Sequence, residues 1–306
     1  MKNDLLYPWC ESISHELIKA DKQSRFPHAI LFYGNAGLGK SEFAKQLANY
    51  LLCLDINKKN HACGTCKDCI LFSADMHGDY YFLTSEDNKA IGIDEIRNIK
   101  AAAGQTSQRG KNKVFVITRA EKMTIAAANA LLKILEEPPG VSIFILTAER
   151  KHFLSPTILS RCHQYAFSPS SSEKTEQWLL ENTTGSFSKE TIKQALLWSL
   201  GAPLLAKQLL QDNVVSEYQS YATSLLDFFS GKISLFVLSK AWQGKSLICI
   251  LYVSQVACYY LLKGEWSLNF NKTVMYQWIQ KITQIKKLLS SHIALNESLL
   301  LDSLLT

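Results

Sequence analysis

No stretch of this chain offers the ~20 uninterrupted apolar residues that a membrane-crossing helix needs. The nearest, residues 247–262, is broken at its middle by Ser254 and Gln255. It is predicted to be a buried helix of a bundle, with a membrane span as the alternative. The opening Met1-Lys2-Asn3-Asp4-Leu5-Leu6-Tyr7-Pro8 lacks the apolar core of an export leader, so a cytoplasmic protein with reduced thiols is expected. No basic arm is present. The net charge of +6 is spread over 306 residues, with eight lysines against five acids in residues 213–306. That balance permits contact with nucleic acid without requiring it. Charged residues stand at 20% and apolar ones at 47%, which excludes a disordered chain. There is no internal repeat and no low-complexity tract. The length leaves room for two domains of about 150 residues, or three smaller ones.

What is there begins with a short apolar run, Ala29-Ile30-Leu31-Phe32-Tyr33, which predicts a buried strand. It runs into Gly34-Asn35-Ala36-Gly37-Leu38-Gly39-Lys40-Ser41, the full pattern of a P-loop. Phe43, Ala44, Leu47, Ala48 and Leu51 then recur at helical spacing. Strand, glycine loop and helix follow in the order of a phosphate-binding βα unit. Apolar runs at 79–83, 113–118 and 142–147 predict three further strands, and 162–167 a last strand-like piece. Helical patterns at 93–103 and 124–137 lie between them, so a parallel sheet covered on both faces is expected. In the second of these helices Leu131, Leu132 and Leu135 should face inward. It should stop before Pro138-Pro139, because a residue preceding proline is driven out of the helical region. Ser168-Pro169-Ser170-Ser171-Ser172 has the composition of a linker. Beyond it the patterns are helical: short at 178–181, 189–200 and 204–210, long and rich in Leu, Ile, Tyr and Trp from 213 onward.

Three motifs bear on chemistry. In the P-loop, backbone N–H groups and the helix N-terminus face the phosphates of ATP or ADP, Lys40 reaches the outer phosphates, and Ser41 holds Mg²⁺. The plain alternative is a chance glycine-rich turn. A hydrolysing P-loop protein presents acids at the end of a later core strand. Here that strand runs into Thr118-Arg119. A threonine offers no carboxylate and an arginine cannot act as a base. Asp94-Glu95 lies in a helical segment, and Glu121 is a weak substitute. The expectation is nucleotide binding without cleavage. The second motif is Cys53-x9-Cys63-x2-Cys66-x2-Cys69. Four thiolates so spaced suit a closed, structural tetrahedral Zn²⁺, with His61 close enough to replace a ligand such as Cys53. A redox thiol pair is the competing reading. The third is Ser160-Arg161-Cys162 after Pro156-Thr157-Ile158-Leu159. Taken alone, such an arginine is usually a surface ion-pair residue.

These pieces in this order resemble the bacterial DNA polymerase III clamp-loader family, of the AAA+ type. The resemblance is carried by Pro27-His28-Ala29-Ile30-Leu31-Phe32, the P-loop and the four cysteines. It is carried further by Asn129-Ala130-Leu131-Leu132-Lys133-Ile134-Leu135-Glu136-Glu137-Pro138-Pro139 and Thr157-Ile158-Leu159-Ser160-Arg161-Cys162. It is strong over about the first 165 residues. Motor subunits of the family, the gamma/tau type, carry Asp-Glu where this chain has Thr118-Arg119. Tyr7-Pro8-Trp9, His77-Gly78-Asp79-Tyr80-Tyr81 and Gly201-Ala202-Pro203 are similar instead to the family's stationary member, which has lost hydrolysis. Leu204 stands where a motor places a nucleotide-sensing arginine. The resemblance implies a P-loop domain over 1–166 with a zinc insertion at 53–69, a helical lid over 167–212, and a helical collar over 213–306. It implies a five-subunit assembly with gamma/tau and delta partners that loads a sliding clamp on primed DNA. It also implies that Arg161 acts as an arginine finger in the ATP site of a neighbour. Trp242, Tyr252, Tyr259 and Tyr260 of the collar are expected to be packing residues. An active gamma/tau-type ATPase and an unrelated P-loop enzyme such as a kinase are the competing readings. The latter explains neither the Leu-Glu-Glu-Pro-Pro string nor Ser160-Arg161-Cys162.

Overall fold

The computed structural model describes residues 7–56, 61–85, 89–109, 112–168, 173–266, 270–289, 300, 301, 303 and 304. The first six residues and Pro169-Ser170-Ser171-Ser172, on which the leader and linker expectations fall, lie outside the described residues. The chain divides into two compact units. One runs as far as Trp178 and takes in Ala202–Leu205; the other holds Leu179–Gly201 and the chain from Ala206 onward.

The strands of the first unit are β1 (Ala29–Tyr33), β2 (Tyr80–Leu83), β3 (Lys113–Ile117), β4 (Ser142–Ala148) and β5 (His163–Ala166). They form one parallel sheet in the order β2-β3-β4-β1-β5. Successive side chains of a strand point to opposite faces, and the two faces bury different sets. Ile30, Phe32, Val114, Val116, Ile143 and Ile145 pack with helices α1 (Glu11–Lys22) and α2 (Lys40–Leu52). Ala29, Leu31, Phe115, Ile117, Phe144 and Leu146 pack with α4 (Ile93–Gly104), α5 (Ile125–Glu136) and α6 (Pro156–Leu159). A short helix α3 (Lys67–Ser73) precedes β2. On the second face Tyr81, Phe115 and Phe144 stand at paired register positions of three strands. Their rings stack in series, with centroids 4.8 and 4.9 Å apart. This is the double-sided burial predicted from the continuous apolar runs.

Local chemistry sets the helix ends. The Thr124 side chain accepts from the N–H of Ala127 and opens α5, which ends at Glu136, two residues before Pro138. Leu131 and Leu135 are buried as expected, but Leu132 is only half-buried. Helices α1 and α3 carry apolar patterns too sparse or too short to stand out in the sequence. Parallel strands also bring their carboxyl ends to one edge of the sheet, where ligand sites of such folds lie. Gly34 after β1, Thr118 after β3 and Glu149 after β4 all fall on that edge.

The remaining helices are α7 (Glu173–Asn182), α8 (Lys189–Trp198), α9 (Pro203–Gln211), α10 (Val215–Phe229), α11 (Leu235–Trp242), α12 (Leu247–Lys263) and α13 (Lys272–Leu289). The apolar run is α12, capped by the Ser246 side chain and closed by Gly264 at φ 72°. Among the described residues no helix is long and apolar enough to cross a membrane. Trp242 is buried and donates its Nε1–H to Ser224 Oγ at 3.0 Å. The hydroxyls of Tyr252 and Tyr260 donate to the carbonyls of Trp198 and Leu197 at 2.6 and 3.1 Å. Tyr259 packs its ring edge-on against Tyr260 at 5.3 Å. It is 41% exposed, because one residue along a helix turns the side chain about 100° away from the face that holds Tyr260.

Candidate functional site

The glycine loop leaves β1 at Gly34, whose N–H still donates to Ala148 of β4. Gly37 and Gly39 take φ of 76° and 81°, and Gly34 takes 149°, a region closed to most side chains. Lys40 opens α2 and is buried. Its ammonium folds back on its own loop, donating to the carbonyls of Gly34 and Asn35 at 2.6 and 2.7 Å. Burial lowers its pKa, while the carboxylates of Glu149, Glu121 and Glu42 pull the other way. A cation enclosed by carbonyls at a helix N-terminus is chemically suited to phosphate oxygens.

The loop is packed from outside by residues far away in sequence. Leu204 donates its N–H to the carbonyl of Gly37, and a Cβ on Gly39 would stand 3.4 Å from its side chain. So Leu204 does lie at the P-loop, as the family resemblance implied, and brings no cation there. Trp9 Nε1 donates to the carbonyl of Leu38 at 2.9 Å. Tyr7 stacks on Trp9 at 4.7 Å, and Trp178 meets both rings edge-on. A Cβ on Gly39 would come within 2.4 Å of the Tyr7 ring. Burial, with Glu42 and Cys10 nearby, pushes the Tyr7 phenol up to about 12. The sequence signalled this aromatic cover only as the string Tyr7-Pro8-Trp9.

At the carboxyl end of β3, Thr118 is buried and its hydroxyl donates to the carbonyl of Leu83 at 3.4 Å. Arg119 takes the left-handed conformation, φ 54°, and its N–H donates to Thr147 Oγ1 at 3.3 Å. Neither position offers a carboxylate. Glu121 follows in a short 3-10 turn, with Oε2 enclosed and without a hydrogen-bond partner. Asp94 and Glu95 sit in the first turn of α4. Asp94 there pairs with Arg97 at 2.8 Å.

Arg161 follows α6, which Ser155 caps and Pro156 opens. Its Nη1 donates to the carbonyl of Thr157 at 3.1 Å and to Ser160 Oγ at 3.4 Å. Its Nη2 pairs with Glu136 Oε1 at 2.5 Å, the two side chains being 35% and 46% exposed. The sequence held both partners in separate motifs but did not link them.

The four cysteines come together. Their sulfurs all lie within 4.8 Å of one another, and His61 is not part of that group. Cys53 and Cys66 are 3.9 Å apart, as are Cys63 and Cys69. Four sulfurs bound at ~2.3 Å to one tetrahedral ion stand about 3.8 Å apart, so this set can hold a metal. Backbone N–H groups of Cys63, Cys66 and Cys69 donate to the sulfurs of Cys53, Cys63 and Cys66 at 3.3, 3.2 and 3.4 Å. Such donors favour thiolates. The N–H groups of Thr65 and Cys66 bring the Cys63 thiol down to about 6, whereas burial pushes Cys53 and Cys69 up.

Beside this group lies a buried polar network that the sequence did not reveal. Asp68 of α3 accepts from Arg109 Nε at 2.6 Å and faces His77 Nε2 at 3.6 Å. Asp79 accepts from the backbone N–H groups of Gln108 and Arg109 and from the Ser107 hydroxyl. The string His77-Gly78-Asp79 thus fastens the cysteine segment to the start of β2.

The sequence profile of the family described as DNA polymerase III, delta subunit, matches residues 9–171. A DNA polymerase III subunit delta′ from Haemophilus influenzae is 34% identical over 233 residues, which is 76% of this chain and 70% of that one. The delta′ subunit of Buchnera aphidicola subsp. Schizaphis graminum is 28% identical over 314 residues, spanning 96% and 94% of the two chains. A gamma/tau subunit from Mycobacterium bovis is 34% identical over 157 residues, which is 51% of this chain and 27% of that protein. The delta′ likeness therefore runs through the helical second half, while the gamma/tau likeness spans about half the chain.

Proposed function

The chain belongs to the family of DNA polymerase III delta′ subunits, and from that premise we propose that it serves in the clamp loader without hydrolysing ATP itself. In this reading it assembles with gamma/tau and delta subunits in the cytoplasm, in a ring of five that places the sliding clamp on primed DNA. Its part in ATP chemistry is to lend Arg161 to the site of an adjoining gamma-type subunit.

The observation that carries the reading is the carboxyl end of β3. A hydrolysing site needs carboxylates there, and this chain has the Thr118 hydroxyl, bonded to Leu83, followed by Arg119. Arg161, by contrast, is partly exposed on a separate element with its guanidinium held at three points. A planar guanidinium presents paired donors to phosphate oxygens, which a lysine cannot reproduce. Facing the γ-phosphate in trans, it would neutralise charge that builds up as the phosphoryl group leaves.

The P-loop remains suited to a nucleotide, ATP or ADP. Lys40 and the backbone N–H groups of residues 34–41 would hold the phosphates, and Ser41 the Mg²⁺. Bound there, the nucleotide would brace the loop. The sulfurs of Cys53, Cys63, Cys66 and Cys69 would hold one structural Zn²⁺ in the segment 53–69. With all four positions filled by the protein, that ion has no open place for substrate. The P-loop domain at 1–166, the lid at 167–212 and the collar at 213–306 are part of the same proposal.

The test is a complex reconstituted with gamma and delta subunits in which only the ATP site facing Arg161 is left active. Arg161→Ala is expected to lower DNA-stimulated turnover at that site by ~10³ or more. Unchanged turnover would remove the assignment. The isolated chain should show no multiple turnover of ATP. If it did, the gamma/tau-type reading would replace this one.

A further inference from the structure

We infer that Glu136 is a positioning residue for Arg161, clasping the guanidinium before a neighbouring subunit's phosphate is presented to it. The inference rests on the reading of Arg161 as a finger in trans and adds a residue that acts through it.

The geometry is specific. Glu136 Oε1 holds Nη2 at 2.5 Å. The Thr157 carbonyl and Ser160 Oγ hold Nη1 at 3.1 and 3.4 Å. A guanidinium has five N–H donors in one plane. These three contacts fix the plane through both terminal nitrogens and leave other donors for a ligand.

The place of Glu136 argues that the pair is more than a passing surface contact. Glu136 is the last residue of α5. A carboxylate there faces the negative end of the helix dipole, which disfavours it unless a cation is supplied. Arg161 supplies that cation from the other side of the motif pair. The chain at Glu136 is also held in place, since Pro138 and Pro139 end the helix just beyond it. The carboxylate is thus fixed relative to α5, and the guanidinium is fixed relative to α6. Loss of Glu136 would leave Arg161 free to sample other rotamers, at a cost paid when it must meet the phosphate.

A finger acts on charge that develops in the transition state, so its misplacement should appear in kcat and not in KM. In the same reconstituted complex with a single active site, Glu136→Ala is expected to lower kcat about tenfold with KM unchanged. Glu136→Gln keeps an acceptor oxygen and should stay within about threefold of the unaltered complex. In the Arg161→Ala background, Glu136→Ala should have no further effect, because the residue through which it acts is gone. Assembly on size exclusion should be the same for all variants, and each should still unfold cooperatively.

The outcomes separate the two claims. Unchanged turnover in Arg161→Ala would overturn the finger and the positioning role together. Slowed turnover in Arg161→Ala, with Glu136→Ala at the unaltered rate, would overturn the positioning role alone. An additive loss in the double variant would do the same, as would faster turnover in Glu136→Ala, since that would make Glu136 a restraint on the finger.

Discussion

Gly34 illustrates how much of the site rests on single backbone positions. It sits at φ 149°, and a Cβ there would lie 2.2 Å from the carbonyl oxygen of Phe167. That carbonyl cannot easily retreat, because the N–H of Phe167 is bonded to Tyr33 at 2.7 Å. Gly34→Ala is therefore expected to cost ~2 kcal/mol or more. Gly140 serves as the control. It also has positive φ, 61°, but a Cβ there meets nothing within 4 Å. Gly140→Ala should cost only the handedness penalty of about 1 kcal/mol. Denaturant titration of both variants measures the difference, and equal losses would mean that the close approach to Phe167 does not constrain the loop. The glycines, Lys40 and Ser41 were legible in the sequence because a P-loop is a local pattern. The ring of Tyr7 and the backbone of Leu204 against that loop were not, since they arrive from 30 and more positions away.

The cysteine segment is an element held by its sulfurs and by the Asp68–Arg109 anchor, with little apolar core of its own. Its core among the described residues is Cys53, Ala62 and Cys69, with Cys63 and Cys66 packed alongside. So small an apolar cluster cannot offset the entropy of ordering the segment. Purified protein, kept reduced and free of chelator, should carry about one equivalent of zinc. Cys69→Ser should lose the metal and raise amide hydrogen exchange between 53 and 73, with the strands of the sheet still protected. Retention of a full equivalent in that variant would sink the ligand set. The ligand spacing was plain in the sequence. The anchor was not: Asp68 and Arg109 are 41 positions apart, and nothing local pairs them.

The helical second unit leaves Phe236, Ile248, Leu262 and Tyr276 exposed at 76%, 63%, 53% and 53%. Large apolar side chains left exposed on helices are candidates for contact with other subunits. If the chain takes the place proposed for it, mixing with gamma and delta subunits should move it on size exclusion into one larger species. Replacing Phe236 and Ile248 together by Ser should weaken that shift while the isolated chain keeps its fold. Elution at the position of the free chain in the unaltered mixture would count against the assembly.

Strand order within the chain, helix boundaries at Thr124 and Pro138, the loop of 34–41 and the missing acids at 118 and 119 could all be read from residues alone. Each depends on neighbours within one turn or one strand, where periodicity, capping and proline sterics act. The half-burial of Leu132, the cover over the P-loop and the meeting of Glu136 with Arg161 could not. Those depend on which strand lies beside which, and at what register, and on how helices settle against the sheet. Parallel strands pair across long crossovers, so the partners that finish the site are fixed only when the whole sheet has closed.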